Sequence, residues 1–222
     1  ISDWAVMHSG SDVLLNWYGP SSITTRLPSG LNLKLRQRTE YPRENRVRLQ
    51  VAPDRAARFT LKLRVPHWSE QTRVIVNGKP VDDVRPGRYL ALDRTWKNGD
   101  IVDIEFDFAL RYWAGEREYA GKTSIFRGPL LLAYDRRFND MDPDAIPPLD
   151  AAGLTGNDAP PPDWFAPMFL QEFAGTSGRI IRLCDFASAG VGGSPYRSWL
   201  EVRNVRPAEF SKSNPLRAAR GK

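Results

Sequence analysis

The chain has 222 residues, 41% of them apolar and 26% charged, with a formal net charge of +6. That is enough for one large or two small domains with real cores, and the composition is not that of a disordered chain. The longest apolar stretches, such as Gly128 to Tyr134, fall far short of the roughly 20 residues a membrane-spanning helix needs, so no membrane span is expected. A single cysteine, Cys184, excludes an internal disulfide framework and any thiolate-rich zinc site built from this chain alone.

Taken in chain order, short β-type runs recur: Val13 to Tyr18, Ile23 to Leu27, Leu31 to Thr39, Arg46 to Val51, Phe59 to Val65, Val74 to Asn77, Tyr89 to Leu92 and Ile101 to Phe108. Each is bounded by Gly, Pro, Asn or Asp, at a spacing typical of sandwich strands. Asn77-Gly78 is the strongest hairpin signal, because a type I′ turn needs positive φ at both central residues; Asn98-Gly99 is a second turn of similar chemistry. A further group follows at Thr123 to Phe126, Leu130 to Tyr134, Ile180 to Cys184 and Tyr196 to Val202. Between them lies a Pro- and Asp-rich loop over residues 138–167. Pro143, Pro147, Pro148, Pro160, Pro161, Pro162 and Pro167 exclude regular helix or central strand there. A loop of this length is read as packing on a neighbour. No helix of ordinary length and no internal repeat is expected.

The charge is unevenly spread. Basic residues dominate between Arg26 and Arg64, whereas the interval from Asp140 to Asp163 carries only acidic charges. In the basic region Lys34, Arg36 and Arg38 alternate with Leu31, Leu33 and Leu35. Arg46 and Arg48 alternate with Val47, Leu49 and Val51, and Lys62 and Arg64 with Phe59, Leu61, Leu63 and Val65. Period two makes one sheet face apolar and the other basic. A solvated or domain-facing surface is the first reading of that face, with Lys34, Arg36, Arg38, Arg48, Lys62 and Arg64 as domain-interface candidates. Anion binding is a lesser one, and nucleic acid is disfavoured because no RNP-like aromatic motif or recognition helix accompanies the charge.

Catalytic signals are sparse. Glu116 and Glu118 are the nearest approach to a carboxylate pair, and read as solvated surface. Asp140, Asp142 and Asp144 alternate as in some calcium loops, but the glycine and later glutamate of an EF-hand are missing. Gly190-Val191-Gly192-Gly193-Ser194 has no Walker lysine after it. His8 and Cys184 lack recognisable partners for nucleophilic catalysis, and two histidines cannot build a three-His metal site. Of seven tryptophans, Trp68 and Trp96 adjoin strand-end turns and read as plugs; Trp113 and Trp164, outside clear strands, are the candidates for an exposed face that stacks on sugar. The catalytic assignment is therefore none, and so is the metal assignment.

A series of motifs carries a family resemblance. Leu63-Arg64-Val65-Pro66-His67-Trp68 is followed by Val74-Ile75-Val76-Asn77-Gly78-Lys79-Pro80-Val81, and then by the run from Gly87-Arg88-Tyr89-Leu90 to Trp96-Lys97-Asn98-Gly99-Asp100. Arg127-Gly128-Pro129-Leu130 and Ser194-Pro195-Tyr196-Arg197-Ser198-Trp199-Leu200 come later; Asn16-Trp17-Tyr18-Gly19-Pro20-Ser21 and Thr39-Glu40-Tyr41-Pro42 come earlier. The ordered series resembles the C-terminal β-sandwich region of glycoside hydrolase family 127, the β-L-arabinofuranosidase-like enzymes once catalogued as a domain of unknown function. The resemblance implies a sandwich that follows an (α/α)6 catalytic barrel. In such enzymes a zinc-bound cysteine thiolate attacks the anomeric carbon, helped by glutamate, further cysteines and a carboxylate acid/base. Those residues belong to the barrel, including a Cys-Cys pair expected upstream of Ile1. No position here matches them, so zinc is implied in the absent catalytic domain and no cofactor in this chain.

The expectation is an all-β chain of two consecutive antiparallel β-sandwich, jelly-roll-like units. The first covers residues 1–111, the second residues 112–205, and a polar, basic tail residues 206–222. The role is that of a non-catalytic portion of a bacterial-type glycoside hydrolase that braces its own N-terminal barrel. Self-association and an arabinose-containing glycan are the other partners considered, and the alternatives are a carbohydrate-binding module using exposed Trp or an anion-binding domain. The chain, which starts at Ile1 without an initiating Met, is read as a processed product or a piece of something longer. The compartment is left open.

Overall fold

The alternation of leucines with charged residues places one set of side chains on each face of a pleated strand. In the computed structural model, which describes residues 2–206, that alternation becomes two stacked sheets in the first half of the chain. The chain divides between Phe108 and Ala109 into two units. In the first, β1 (Val6–Ser9), β2 (Asp12–Leu15), β3 (Ser21–Arg26), β4 (Asn32–Arg38) and β5 (Arg46–Pro53) precede β6 (Ala57–Arg64), β7 (Arg73–Val76), β8 (Lys79–Pro80), β9 (Tyr89–Trp96) and β10 (Asp100–Glu105). They form a four-stranded sheet in the order β1-β2-β6-β9 and a six-stranded sheet in the order β3-β4-β5-β10-β7-β8.

The two inner faces share one core. Leu33, Leu35, Leu49, Val51 and Val102 from the larger sheet meet Val13, Leu15, Leu61, Leu63 and Trp96 from the smaller, as face-to-face sheets require. Trp96 is fully buried, and its indole N–H donates to the Phe59 carbonyl at 3.2 Å. Trp68 lies against Phe106 and Phe108 at 5.8 and 5.9 Å between ring centroids. Both tryptophans thus plug the core, as read from the sequence. Asn77 and Gly78 have φ of 50° and 79°, the double positive φ of a type I′ turn, and they join β7 to β8 with Val76 opposite Lys79. In this unit one pairing departs from the antiparallel expectation: β2 runs parallel to β6, Val13 facing Leu61. A parallel pair needs a long crossover, and here β3, β4 and β5 in the other sheet supply it.

The second unit is built on one large sheet. Its strands are β11 (Leu110–Ala114), β12 (Thr123–Arg127), β13 (Leu130–Asp135), β14 (Leu149–Asp150), β15 (Asn157–Asp158), β16 (Leu170–Ala174), β17 (Ile180–Asp185), β18 (Tyr196–Arg197) and β19 (Val202–Arg203). The order is β11-β12-β13-β17-β16-β15, with β18 also on β13; β14 and β19 form a separate parallel pair. Buried Leu132, Ala133, Tyr134 and Asp135 show that β13 is covered on both faces. One cover gathers Met141, Leu149 and Leu200 over Ile125, Leu132, Phe173 and Leu183. The other gathers Phe138 and Ala159, with Phe165, over Leu170 and Cys184.

The proline-rich excursion therefore packs on its own unit. Its apolar residues Met141, Ile146, Leu149 and Leu154 come down on one side of the sheet, and Ala159 and Phe165 on the other; burying them locally satisfies the hydrophobic demand that was assigned to a neighbour. Strands β11 and β16 lie where no alternation was read. The only α-helix among the described residues is the single turn Ser2–Ala5, and no helix there is long and apolar enough to cross a membrane. The segment read as a tail lies, from residue 207, outside the described residues.

The alternation makes a sharp mutational contrast. Leu49, with no solvent exposure, sits on β5 between β4 and β10. Leu49→Ala is expected to destabilise the first unit by about 2–5 kcal/mol. Gln50→Ala, one residue on and on the opposite face, is expected to change stability by no more than about 0.5 kcal/mol. Urea denaturation of the two variants measures the difference.

Candidate functional site

Strand β4 turns Leu33, Leu35 and Gln37 inward and Lys34, Arg36 and Arg38 outward. The outward cations are i, i+2 neighbours, about 7 Å apart along the strand. On β5, Arg46 and Arg48 face the same way, and across them β10 contributes acid: Asp103 lies opposite Arg48 and Glu105 opposite Arg46. Arg48 grips Asp103 with Nε at 2.7 Å and Nη2 at 3.2 Å. Glu105 accepts from Arg73 of β7 at 2.5 Å and lies 3.4 Å from Arg46. The Arg73 hydrogen bond, reinforced by the charges of Arg73 and Arg46, holds the Glu105 carboxyl below its ordinary value. Exposed pairs of this kind add little stability; their effect is to organise the surface. The face is neutralised along β10 and stays positive along β4. Around the junction lies an open 720 Å³ cleft, lined by Arg38, Glu44, Arg46, Arg73 and Ile75 among others.

The six interface candidates do not form one face. Lys34, Arg36, Arg38 and Arg48 share the outer face of the six-stranded sheet, whereas Lys62 and Arg64 lie on β6 of the other layer. There they are engaged locally: Lys62 pairs with Asp12 at 2.6 Å, and Arg64 Nε donates to the Asn16 carbonyl at 2.7 Å. Alternation gives the face of a strand but not the sheet it joins, so the sequence merged two surfaces into one.

In the second unit the two tryptophan candidates part company. Trp113 lies on β11, half-buried, opposite Ser124 of β12. Trp164 is 59% exposed and stacks on Phe138 at 5.7 Å and on Phe165 at 6.2 Å between centroids. The Arg137 guanidinium lies 4.7 Å from the Phe165 ring and 5.9 Å from the Trp164 ring, within cation–π range.

Arg137 is aimed by a group the sequence reading missed. Asp135, fully buried at the end of β13, receives Arg137 Nη2 at 2.8 Å, the Arg137 and Gly190 backbone N–H groups at 2.8 Å each, and the Ser194 hydroxyl at 2.7 Å. Burial alone would raise its pKa; the hydrogen bonds from Arg137, Ser194 and Gly190 outweigh it and bring the carboxyl to about 2. The glycine-rich stretch thus closes on a carboxylate belonging to the protein itself. Nothing in the sequence around Asp135 distinguishes it from a surface acid except its place at the end of an apolar strand.

The remaining chemistry is structural. Asp142 accepts from the Asp144 backbone N–H at 2.8 Å, an Asx turn, and Asp144 pairs with Arg197. Glu116 precedes a single helical turn on the surface and Glu118 lies within it. The Cys184 thiol is buried and pushed up to about 12, mainly by desolvation, so it supplies no thiolate at neutral pH. Among the described residues no group of three or more His, Cys, Asp or Glu could hold a metal ion. These residues do not fit the zinc site that the resemblance implies for the barrel.

Comparison with known proteins gives the setting. Residues 12–108 match the family model of the β-L-arabinofuranosidase GH127 middle domain. The fold is similar to that of a GH127 β-L-arabinofuranosidase from Geobacillus stearothermophilus T6, with a TM-score of 0.73 at 23% identity over 90% of this chain and 35% of that one. A structure described as a glycoside hydrolase gives 0.73 at 24%, covering 91% and 37%. A GH127 β-arabinofuranosidase gives 0.73 at 21%, covering 90% and 36%. A search of curated proteins finds none that matches. The chain thus spans little more than a third of the length of the solved chains it matches. The resemblance carried by the motifs agrees with these matches: residues 12–108 are similar to a GH127 middle domain, and a second β unit follows them.

Asp135 sets a pH dependence with a definite sign. A carboxyl held below its unfolded value of about 3.9 contributes stability that is fully present above that pH and is lost as pH falls toward about 2. At neutral pH the contribution is on the order of 2 to 3 kcal/mol. In Asp135→Asn the extra acid sensitivity between pH 4 and 2 is expected to disappear while neutral-pH stability drops. Unfolding midpoints across that range test it.

Proposed function

We propose that this chain is the non-catalytic β portion of a glycoside hydrolase related to the β-L-arabinofuranosidases, and that it braces a catalytic barrel belonging to the same protein. The observation that carries the reading is the middle-domain match over residues 12–108, since a middle domain is joined to other domains of its chain. The fold likeness supports it, because the related solved chains are about two and a half times as long as this one.

The outer face of the six-stranded sheet is the surface offered for that bracing. Its cations on β4 remain available for carboxylates of a partner domain, and the neighbouring Arg48–Asp103 and Arg73–Glu105 pairs fix its charge pattern. Complementary charge of this kind directs orientation and encounter more than it adds affinity.

Two outcomes are expected. The isolated chain, free of contaminating enzyme, releases no arabinose from an aryl β-L-arabinofuranoside; release by this chain would overturn the reading. When a barrel polypeptide of the same protein is supplied separately, Arg36→Glu/Arg38→Glu weakens its association about ten-fold or more, and salt weakens the unaltered pair. Association unchanged by both would remove the basic face from the interface, as measured by sedimentation or calorimetric titration.

A further inference from the structure

We propose that the second unit carries a binding cleft for a neutral saccharide, walled by Tyr119 and Trp199. The two rings stack with centroids 4.9 Å apart and 18° between planes. They line a 310 Å³ cleft together with Glu118, Lys122, Arg197 and Glu201. Neither aromatic reached this position as part of an alternating strand face, and neither is needed to close the core; Tyr119 remains 43% exposed.

The local backbone is shaped to bring them together. Tyr119 ends the single helical turn Arg117–Tyr119, which folds back so closely on Gly115 that a Cβ there would lie 2.2 Å from the Tyr119 carbonyl oxygen. Glycine is therefore required before the turn. Within the turn Arg117 holds a φ of 56°, a conformation uncommon for residues with a side chain. The turn is closed by the Gly115 N–H on the Lys122 carbonyl at 2.8 Å. Trp199 is delivered from the far end of the unit by a reciprocal backbone pair: Thr123 N–H donates to the Leu200 carbonyl at 2.7 Å, and Leu200 N–H to that of Thr123 at 3.0 Å.

The lining chemistry points to a sugar. An aromatic wall offers a flat apolar face to the C–H face of a sugar ring. Around it, Arg197 is held by its pair with Asp144, while Glu118, Lys122 and Glu201 have no side-chain hydrogen bond or ion pair among the described residues. Carboxylates accept and ammonium groups donate, which together satisfy vicinal hydroxyls that do both. The carboxylates Glu118, Asp144 and Glu201 outnumber the cations Lys122 and Arg197, so a phosphate-rich or sulfated ligand meets repulsion from more groups than attract it. The volume lies at the small end of the roughly 300–1,000 Å³ typical of ligand sites, room for one or two sugar rings. This inference concerns binding alone and does not depend on the bracing role.

The test uses the whole chain. Xylobiose, arabinobiose and cellobiose, with a heparin fragment as polyanion, are titrated by calorimetry and by tryptophan fluorescence. Saturable binding of at least one neutral disaccharide is expected. It should weaken about ten-fold or more in Trp199→Ala and in Glu201→Gln and stay unchanged in Trp164→Ala. No binding of any neutral disaccharide, binding of heparin alone, or loss on Trp164→Ala instead would overturn the proposal. Should Trp199→Ala fail to fold by circular dichroism, Tyr119→Ala and Glu201→Gln carry the test, and undiminished binding in both overturns it.

Discussion

The second unit depends on a carboxylate that never meets water. Asp135 ends β13, the strand covered on both faces, and gathers Arg137, Gly190 and Ser194 onto one pair of oxygens. An isolated buried carboxylate would be very costly; here each oxygen is met by donors from segments distant in sequence, and those segments are thereby fixed. Asp185, at the end of the paired strand β17, plays a smaller version of the same part by accepting from the Phe169 and Ser188 backbone N–H groups at 3.1 and 3.0 Å. Where β13 and β17 end, buried acids rather than apolar packing define the path of the chain. The aromatic group around Arg137 is a consequence, because the guanidinium that Asp135 anchors is the one lying against Phe138, Phe165 and Trp164.

The first unit is held by a different constraint. Two sheets enclose one apolar layer, and every strand that contributes to it must return its odd or even residues to the outside. For β4 and β5 that means cations, and β10 answers with Asp103 and Glu105 only on one side. The uneven charge of the surface follows from strand order: β10 lies beside β5 and β7, so its acids meet Arg46, Arg48 and Arg73 and leave Lys34, Arg36 and Arg38 on β4 without an acidic strand beside them.

Much of this architecture was legible in the amino-acid order, and the limits have physical causes. Strands β4, β5 and β6 were visible because leucine and valine alternate with charge, and the β7–β8 turn because Asn77-Gly78 has few other uses. Strand β16 was missed because Leu170, Gln171 and Phe173 are all buried, so no alternation survives. Lys62 and Arg64 were grouped with Lys34 and Arg36 because period does not encode sheet membership. Asp135, and the meeting of Tyr119 with Trp199, depend on residues 55 to 80 positions apart in some of their contacts and on backbone turns that leave no periodic trace. The family resemblance supplied the setting but assigned no site residue in this chain.

The short β7–β8 hairpin has a bearing on how this chain behaves among its own copies. It ends the six-stranded sheet in a strand of only two residues, Lys79 and Pro80. Proline has no amide hydrogen to give, and lysine brings a charge that an incoming strand would have to bury. On that border the sheet presents almost no ladder for another chain to extend, so a β-rich polypeptide gains protection against edge-to-edge aggregation from the same turn that sets its register.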